Sequence, residues 1–234
     1  MPAAADRAPM PFAPLTAEPL HEQAYAALRG AVLAGRFAPG QSLTIRGLGA
    51  SLGISATPVR EALQRLIAEG ALELAPNRTI QVPEMTRARY GEITEIRVRL
   101  ERMAVEAAAA HADAALCNRL ARLSDRMHAA IESGRFPDYL ADNQSFHFLI
   151  YEAARLPYLQ QLIGLCWLRT GPWLNRLAHE GRFHAIANDA HDIIIAALRR
   201  RDLPVLAEAI ERDIRDAGAV LIGQLPAEAE GAQG

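Results

Sequence analysis

The chain contains no lysine; all 25 of its basic side chains are arginine, set against 27 acidic ones. A formal net charge of −2 excludes bulk attraction to a polyanion, so any nucleic-acid binding has to come from a local patch. Cysteine is scarce too. Cys117 and Cys166 stand alone, outside any CxxC pair, which argues against a disulfide framework and for a reducing compartment, the cytoplasm. No apolar run approaches the ~20 residues that span a bilayer, so no membrane partner is expected. HExxH, a phosphate-cradling glycine loop and a nucleophile motif are also missing, and with them the common signatures of catalysis.

What is present is globular. Half of the 234 residues are apolar and 22% are charged, enough for two modest domains, each with its own core. Residues 1–19, rich in Ala and Pro and without a signal-peptide core, read as a flexible arm. Residues 20–83 form one unit, 84–226 a second, and 227–234 a disordered tail. In the first unit, Tyr25, Leu28 and Val32 sit at helical spacing within Glu22–Ala34. Pro39-Gly40 stops that helix. A short helix over Ile45–Leu52 is broken by Gly53. A third over Pro58–Glu69 takes Thr57 as N-cap and Pro58 as first residue, and Gly70 ends it. Leu72–Leu74 and Ile80–Val82 alternate around Ala75–Thr79 as a hairpin.

Beyond a linker, Pro83–Arg89, strand signals vanish. Helical stretches are broken near Asp113, Ser133-Gly134, Leu156-Pro157, Gly171-Pro172, Gly181 and Asp202, which predicts a bundle of about six helices. The fold class is therefore mainly α: a winged helix-turn-helix followed by an all-α bundle.

Two short helices joined across Gly53 and followed by a hairpin satisfy winged helix-turn-helix geometry, in which the second helix enters the major groove. The start of that helix offers free N–H groups, the hydroxyls of Ser55 and Thr57 and the guanidinium of Arg60, all suited to phosphate or base-edge contacts. Arg60 fits a guanine or a phosphate equally well. Between Leu20 and Val82 six arginines face four glutamates, a mild local basic excess. On pattern alone, a protein-interaction module stays open as the alternative.

The residues themselves go further. Leu33-Ala-Gly-Arg-Phe-Ala-Pro-Gly40, Leu52-Gly-Ile-Ser-Ala-Thr-Pro-Val-Arg-Glu-Ala-Leu63, Arg65-Leu66 and Glu69-Gly70 closely resemble the N-terminal domain of GntR-family regulators. That resemblance implies DNA contacts from Arg46, Ser55, Thr57 and Arg60, with Arg78 near the wing tip. For the arginines, a solvated or ion-paired surface role is the alternative. Ala56 stands where the family usually has Arg, and Thr79 replaces a usual wing Gly, which predicts a blunter tip.

Tyr90–Leu221 resembles the helical effector domain of the FadR branch of that family. The matching pieces are Glu95-Ile-Arg97, Leu100-Glu101, Asn143–His147, His191, Ala196–Leu198 and Asp202. Asn143 and His147 are four apart on one helix face, and His191 and Asp213 lie on later helices able to converge on the same cavity. In related domains an Asp precedes the first His by four and a third His completes a metal site; here Asn143 and Asp213 take those places. The resemblance implies a divalent transition metal (Zn, Ni or Mn) held by Asn143, His147, His191 and Asp213. A metal-free polar pocket and histidines satisfied within the core stay open as alternatives. Asp142 is a poor substitute, turned about 100° around the helix. Arg97 either faces the cavity, ready for an acidic ligand, or pairs with Glu101 one turn on. Trp167, Trp173 and Asn175 are candidate pocket walls or plain core, and Arg199-Arg-Arg201 suits a helix C-terminus.

The expected protein is a homodimeric regulator binding a near-palindromic double-stranded operator and responding to a small organic or sugar acid bound at Arg97, Asn143, His147, His191 and Asp213. A metal-dependent enzyme of small organic acids with a DNA-tethering domain is the alternative, and a protein-interaction adaptor a third.

Overall fold

The computed structural model describes residues 18–180, 183 and 188–227, with His179 described by its backbone alone. Most of the expected arm and tail, and the break at Gly181, lie outside the described residues. Helix α1 (Leu20–Leu33) buries Ala24, Leu28 and Val32, a stripe of period four, against Val59, Ala62, Leu63 and Leu66 of α3 (Ala56–Ala68). Between them α2 (Ile45–Leu52) begins at Thr44, whose hydroxyl accepts from the Gly47 N–H at 3.1 Å. It ends at Gly53, which takes a left-handed φ of 69° that a side chain would resist.

Helix α3 starts two residues before the expected Pro58, with Ser55 and not Thr57 as its N-cap. Proline is tolerated at the third helical position because no first-turn N–H has an intrahelical partner. Outside, the Arg65 guanidinium lies 3.7 Å from the Tyr25 ring centroid, tying α3 to α1.

The wing belongs to a three-stranded antiparallel sheet. β3 (Ile80–Gln81) is central, flanked by β1 (Ser42–Leu43) and β2 (Glu73–Leu74), with Gln81 opposite both Ser42 and Glu73. β1 was not expected; two residues carry no legible alternation. The hairpin closes through the Ala75 N–H donating to the Thr79 carbonyl and the Arg78 N–H to the Ala75 carbonyl, both at 2.8 Å. The left-handed residue at the tip is Arg78 (φ 62°), not Thr79.

The second unit holds six α-helices among the described residues, as the periodicity predicts. These are α4 (Arg87–Ala109), α5 (Ala114–Glu132), α6 (Phe136–Ala153), α7 (Pro157–Leu174), α8 (Asp189–Arg200) and α9 (Leu203–Gln224), with a 3₁₀ turn over Asn175–His179. α4 and α9 run antiparallel. Gly218 lies under Thr94, Arg215 pairs with Glu95, and Arg102 pairs with Glu211 at 2.8 Å.

Gly171-Pro172 does not break the chain: both residues lie inside α7. The Thr170 hydroxyl donates back to the Cys166 carbonyl at 3.2 Å, in the turn that the proline perturbs. Gly171 serves packing. A Cβ there would sit 2.9 Å from the Leu33 carbonyl oxygen and 3.0 Å from that of Val32, so this glycine lets α7 seat directly on the end of α1. One turn on, Asn175 donates to the Gly35 carbonyl just past α1.

Gly171→Ala is therefore expected to cost about 1–3 kcal/mol through overpacking. Gly91→Ala in α4 meets nothing closer than Ile222 Cδ1 at 3.9 Å and should not destabilise. Urea unfolding of the two variants checks the contrast; equal midpoints would refute the close-approach account.

Candidate DNA face and metal site

Ser55, Ala56, Thr57 and Arg60 are all exposed around the first turns of α3. Pro58 and Val59 turn inward and anchor the helix. Arg46 on α2 and Arg78 on the wing tip are exposed as well. Among the described residues none of Arg46, Arg60 and Arg78 takes part in an ion pair, so their charges stay available to an outside anion. Arg65, by contrast, is spent on Glu22 at 3.1 Å and on Glu69.

The other site is built from five helices of the bundle. α6 supplies Asn143, His147 and Tyr151 at successive i,i+4 steps; α4 supplies Arg97 and Glu101; α7 brings Trp167, α8 His191 and α9 Asp213. His147 and His191 are buried. Nε2 of His147 lies 3.2 Å from Asp213 Oδ2, and Nε2 of His191 lies 3.4 Å from Asp213 Oδ1. One ligand atom from each of the three residues falls within 4.8 Å of the others, the one such group among the described residues.

These side chains suit a divalent metal. Nε2 of His191 is buried without a hydrogen-bond partner, despite the nearby carboxylate. Both Nδ1 atoms, in contrast, are engaged: His147 with the Tyr151 hydroxyl at 3.1 Å, His191 with Asn188 Oδ1 at 3.3 Å. That is the outer support by which proteins orient imidazole ligands. Two imidazoles and a carboxylate are a familiar donor set for Zn, Ni or Mn.

Asn143 lines the same cavity with Arg97, His147, Trp167 and Asp213. The cavity is about 30 Å³, room for an ion or a water but not for an organic acid. Clefts of about 450 Å³ beside the wing and about 460 Å³ between α5 and α6 are roomier, but no metal-ligating group of three gathers in them among the described residues.

Arg97 takes the second of its two expected roles, the pair with Glu101, while still facing the cavity. It lines the cavity, yet its Nε donates to Glu101 Oε1 at 2.7 Å and its guanidinium lies 4.7 Å from the Trp167 ring. Its charge is already matched. Glu101, wholly buried, also accepts from Trp167 Nε1 at 3.1 Å and from the Tyr151 hydroxyl. Asp142 faces away, held by Arg126. Trp173 and Asn175 do not line this cavity: Trp173 is buried with Arg176 over its ring, and Asn175 reaches Gly35.

The chain matches bacterial regulatory proteins of the gntR family over residues 20–82 and the FCD domain over residues 92–216. It is 33% identical over 189 residues to the HTH-type transcriptional regulator McbR of Escherichia coli (strain K12), spanning 77% of this chain and 84% of that protein. The uncharacterized HTH-type transcriptional regulator YdhC of Bacillus subtilis (strain 168) is 29% identical over 146 residues, 62% of this chain and 65% of that one. The solved structure of E. coli McbR/YncC superposes with a TM-score of 0.83 at 29% identity, covering 89% of this chain and 99% of that one.

The chain belongs to the GntR family of transcription regulators. Its domains and relatives are those of regulators and not of enzymes, so the enzyme alternative falls away. This GntR-family regulator carries its helix-turn-helix on α2 and α3 and its FCD domain on the α4–α9 bundle. No helix among the described residues is long and apolar enough to cross a membrane. Tyr151 and Asn188 were missed from the sequence. Tyr151 lies four residues after His147 and Asn188 three before His191, spacings that could have flagged both as imidazole partners.

Burial pushes the His191 imidazole down to about 4 from 6.5, against the pull of Asp213. Burial would raise Asp213, but His191, His147 and Arg97 outweigh it and hold the carboxyl at about 2, below 3.8. As pH falls from 6.5 towards 4, the unfolded chain takes up a proton at residue 191 that the folded chain refuses, so stability is lost across that window. The Asp213 contribution is lost only below 3.8. With chelator present, the urea midpoint is expected to drop on acidification from pH 7, and His191→Gln should shallow that slope by about one proton. Parallel slopes would contradict the burial account.

Proposed function

We propose that this regulator is a cytoplasmic homodimer of the FadR branch that binds a near-palindromic operator and is rearranged by a small organic or sugar acid. Arg46, Ser55, Thr57 and Arg60 contact DNA, with Arg78 steadying the wing on the backbone. His147, His191 and Asp213 hold a divalent metal (Zn, Ni or Mn), with Asn143 on the cavity wall beside them. A bound metal would supply a Lewis-acid site for the effector's carboxylate. Because Arg97 is already matched by Glu101, the metal and not the arginine offers uncompensated positive charge.

One observation carries the ligand response. Helix α7 bears on both sites: Trp167 walls the small cavity, and one to two turns later Gly171 and Asn175 grip the end of α1. A cavity of about 30 Å³ has no room for an organic acid. An acid has to enter from the adjoining cleft of about 180 Å³, which shares Phe183, Asp213 and Ala217, and push the common wall aside. The acid therefore favours a different wall arrangement, and α7 carries the difference to the DNA-binding unit.

A thermal-shift screen of organic and sugar acids, with and without Zn²⁺, Ni²⁺ or Mn²⁺, tests the effector class; stabilisation that needs both acid and metal is expected. No shift with any pair would sink it. For DNA, fluorescence anisotropy on the operator should show salt-sensitive binding that Arg60→Ala weakens by about 1–3 kcal/mol. Asn175→Ala should leave operator affinity nearly intact while blunting effector-driven release. If release is unchanged, α7 is not the coupling element.

A further inference from the structure

We infer that Tyr151 is a positioning residue: it donates its one hydroxyl proton to Glu101, fixes His147 as the Nδ1–H tautomer, and so aims a lone pair on Nε2 at Asp213 and His191. The inference deepens the metal-site reading and rests on it for its purpose, though not for its geometry.

Tyr151 is buried one turn after His147 on α6. Its hydroxyl has two polar neighbours, Glu101 Oε2 and His147 Nδ1, the latter at 3.1 Å. A phenol has one proton to give. Glu101, ion-paired with Arg97 at 2.7 Å and accepting from Trp167 at 3.1 Å, is a carboxylate that only accepts. The hydroxyl proton therefore goes to Glu101, and the oxygen's lone pair accepts from His147. A neutral imidazole carries a single N–H, so with Nδ1 protonated, Nε2 is an acceptor.

That acceptor faces another. Nε2 of His147 lies 3.2 Å from an Asp213 oxygen, in a pocket where unmatched polar atoms are costly. His191 repeats the pattern. Its Nδ1 faces the side-chain amide oxygen of Asn188, and its Nε2, without a hydrogen bond, lies 3.4 Å from the second Asp213 oxygen. Two lone pairs and a carboxylate turned on one point suit a shared cation. The series Arg97–Glu101–Tyr151–His147 thus prepares a ligand before any metal arrives.

The test is nitrogen-15 NMR of the imidazoles in chelator-treated full-length protein at pH 8, alongside Zn²⁺ titration of wild type and Tyr151→Phe. Wild-type His147 is expected as neutral Nδ1–H. Tyr151→Phe, which keeps the ring, should move it towards Nε2–H, now free to donate to Asp213, and weaken Zn²⁺ binding about 10- to 100-fold. Wild-type His147 found as Nε2–H or doubly protonated overturns the inference without needing the variant to fold. So does a variant with unchanged tautomer and affinity. Nδ1–H in a wild type that binds no Zn²⁺ upholds the tautomer assignment and removes the metal reading instead.

Discussion

Glu101 is the group on which the effector domain depends. It is wholly buried on α4, and a lone carboxylate there would be prohibitively unstable. It persists because three donors converge on it from three helices: Arg97 from its own, Tyr151 from α6 and Trp167 from α7. Such a network does little for net stability compared with an apolar core, but it tolerates few other arrangements. The helices that supply it are held in register, and the imidazole of His147 inherits its orientation from that register.

The same network is also joined to the DNA-binding unit. Trp167 is tied to Glu101 on one side of α7, and Gly171 presses that helix onto the carbonyl end of α1. α1 in turn packs along α3, which presents Arg60. No flexible linker intervenes along this path. Packed side chains and two helix contacts thus connect the wall of the cavity to the helix that presents Arg60.

Much of the first unit was legible because its determinants are local. Gly53 at a left-handed cap, the alternation around Ala75–Thr79 and the Thr57-Pro-Val-Arg60 run each act within a few residues. Local reading failed where a distant partner set the outcome. Gly171-Pro172 looks like a stop, yet the helix continues, and the glycine is there because α1 approaches too closely for a side chain. Asn175, legible only as a pocket wall or plain core, is a clamp on Gly35. β1 is defined by its pairing with β3, which lies far on in the chain.

The candidate site divides along the same line. The sequence alone determined the identity of the donors: His147, His191 and Asp213 on three separate helices, with an amide at 143 in place of a carboxylate. Tertiary structure alone decided that the three meet within 4.8 Å, that Arg97 arrives already neutralised, and that Tyr151 and Asn188 stand behind the imidazoles. Helical periodicity specifies which face a residue occupies. Which faces share a cavity, and which proton each donor keeps, follows only from the packing of the five helices around a buried ion pair.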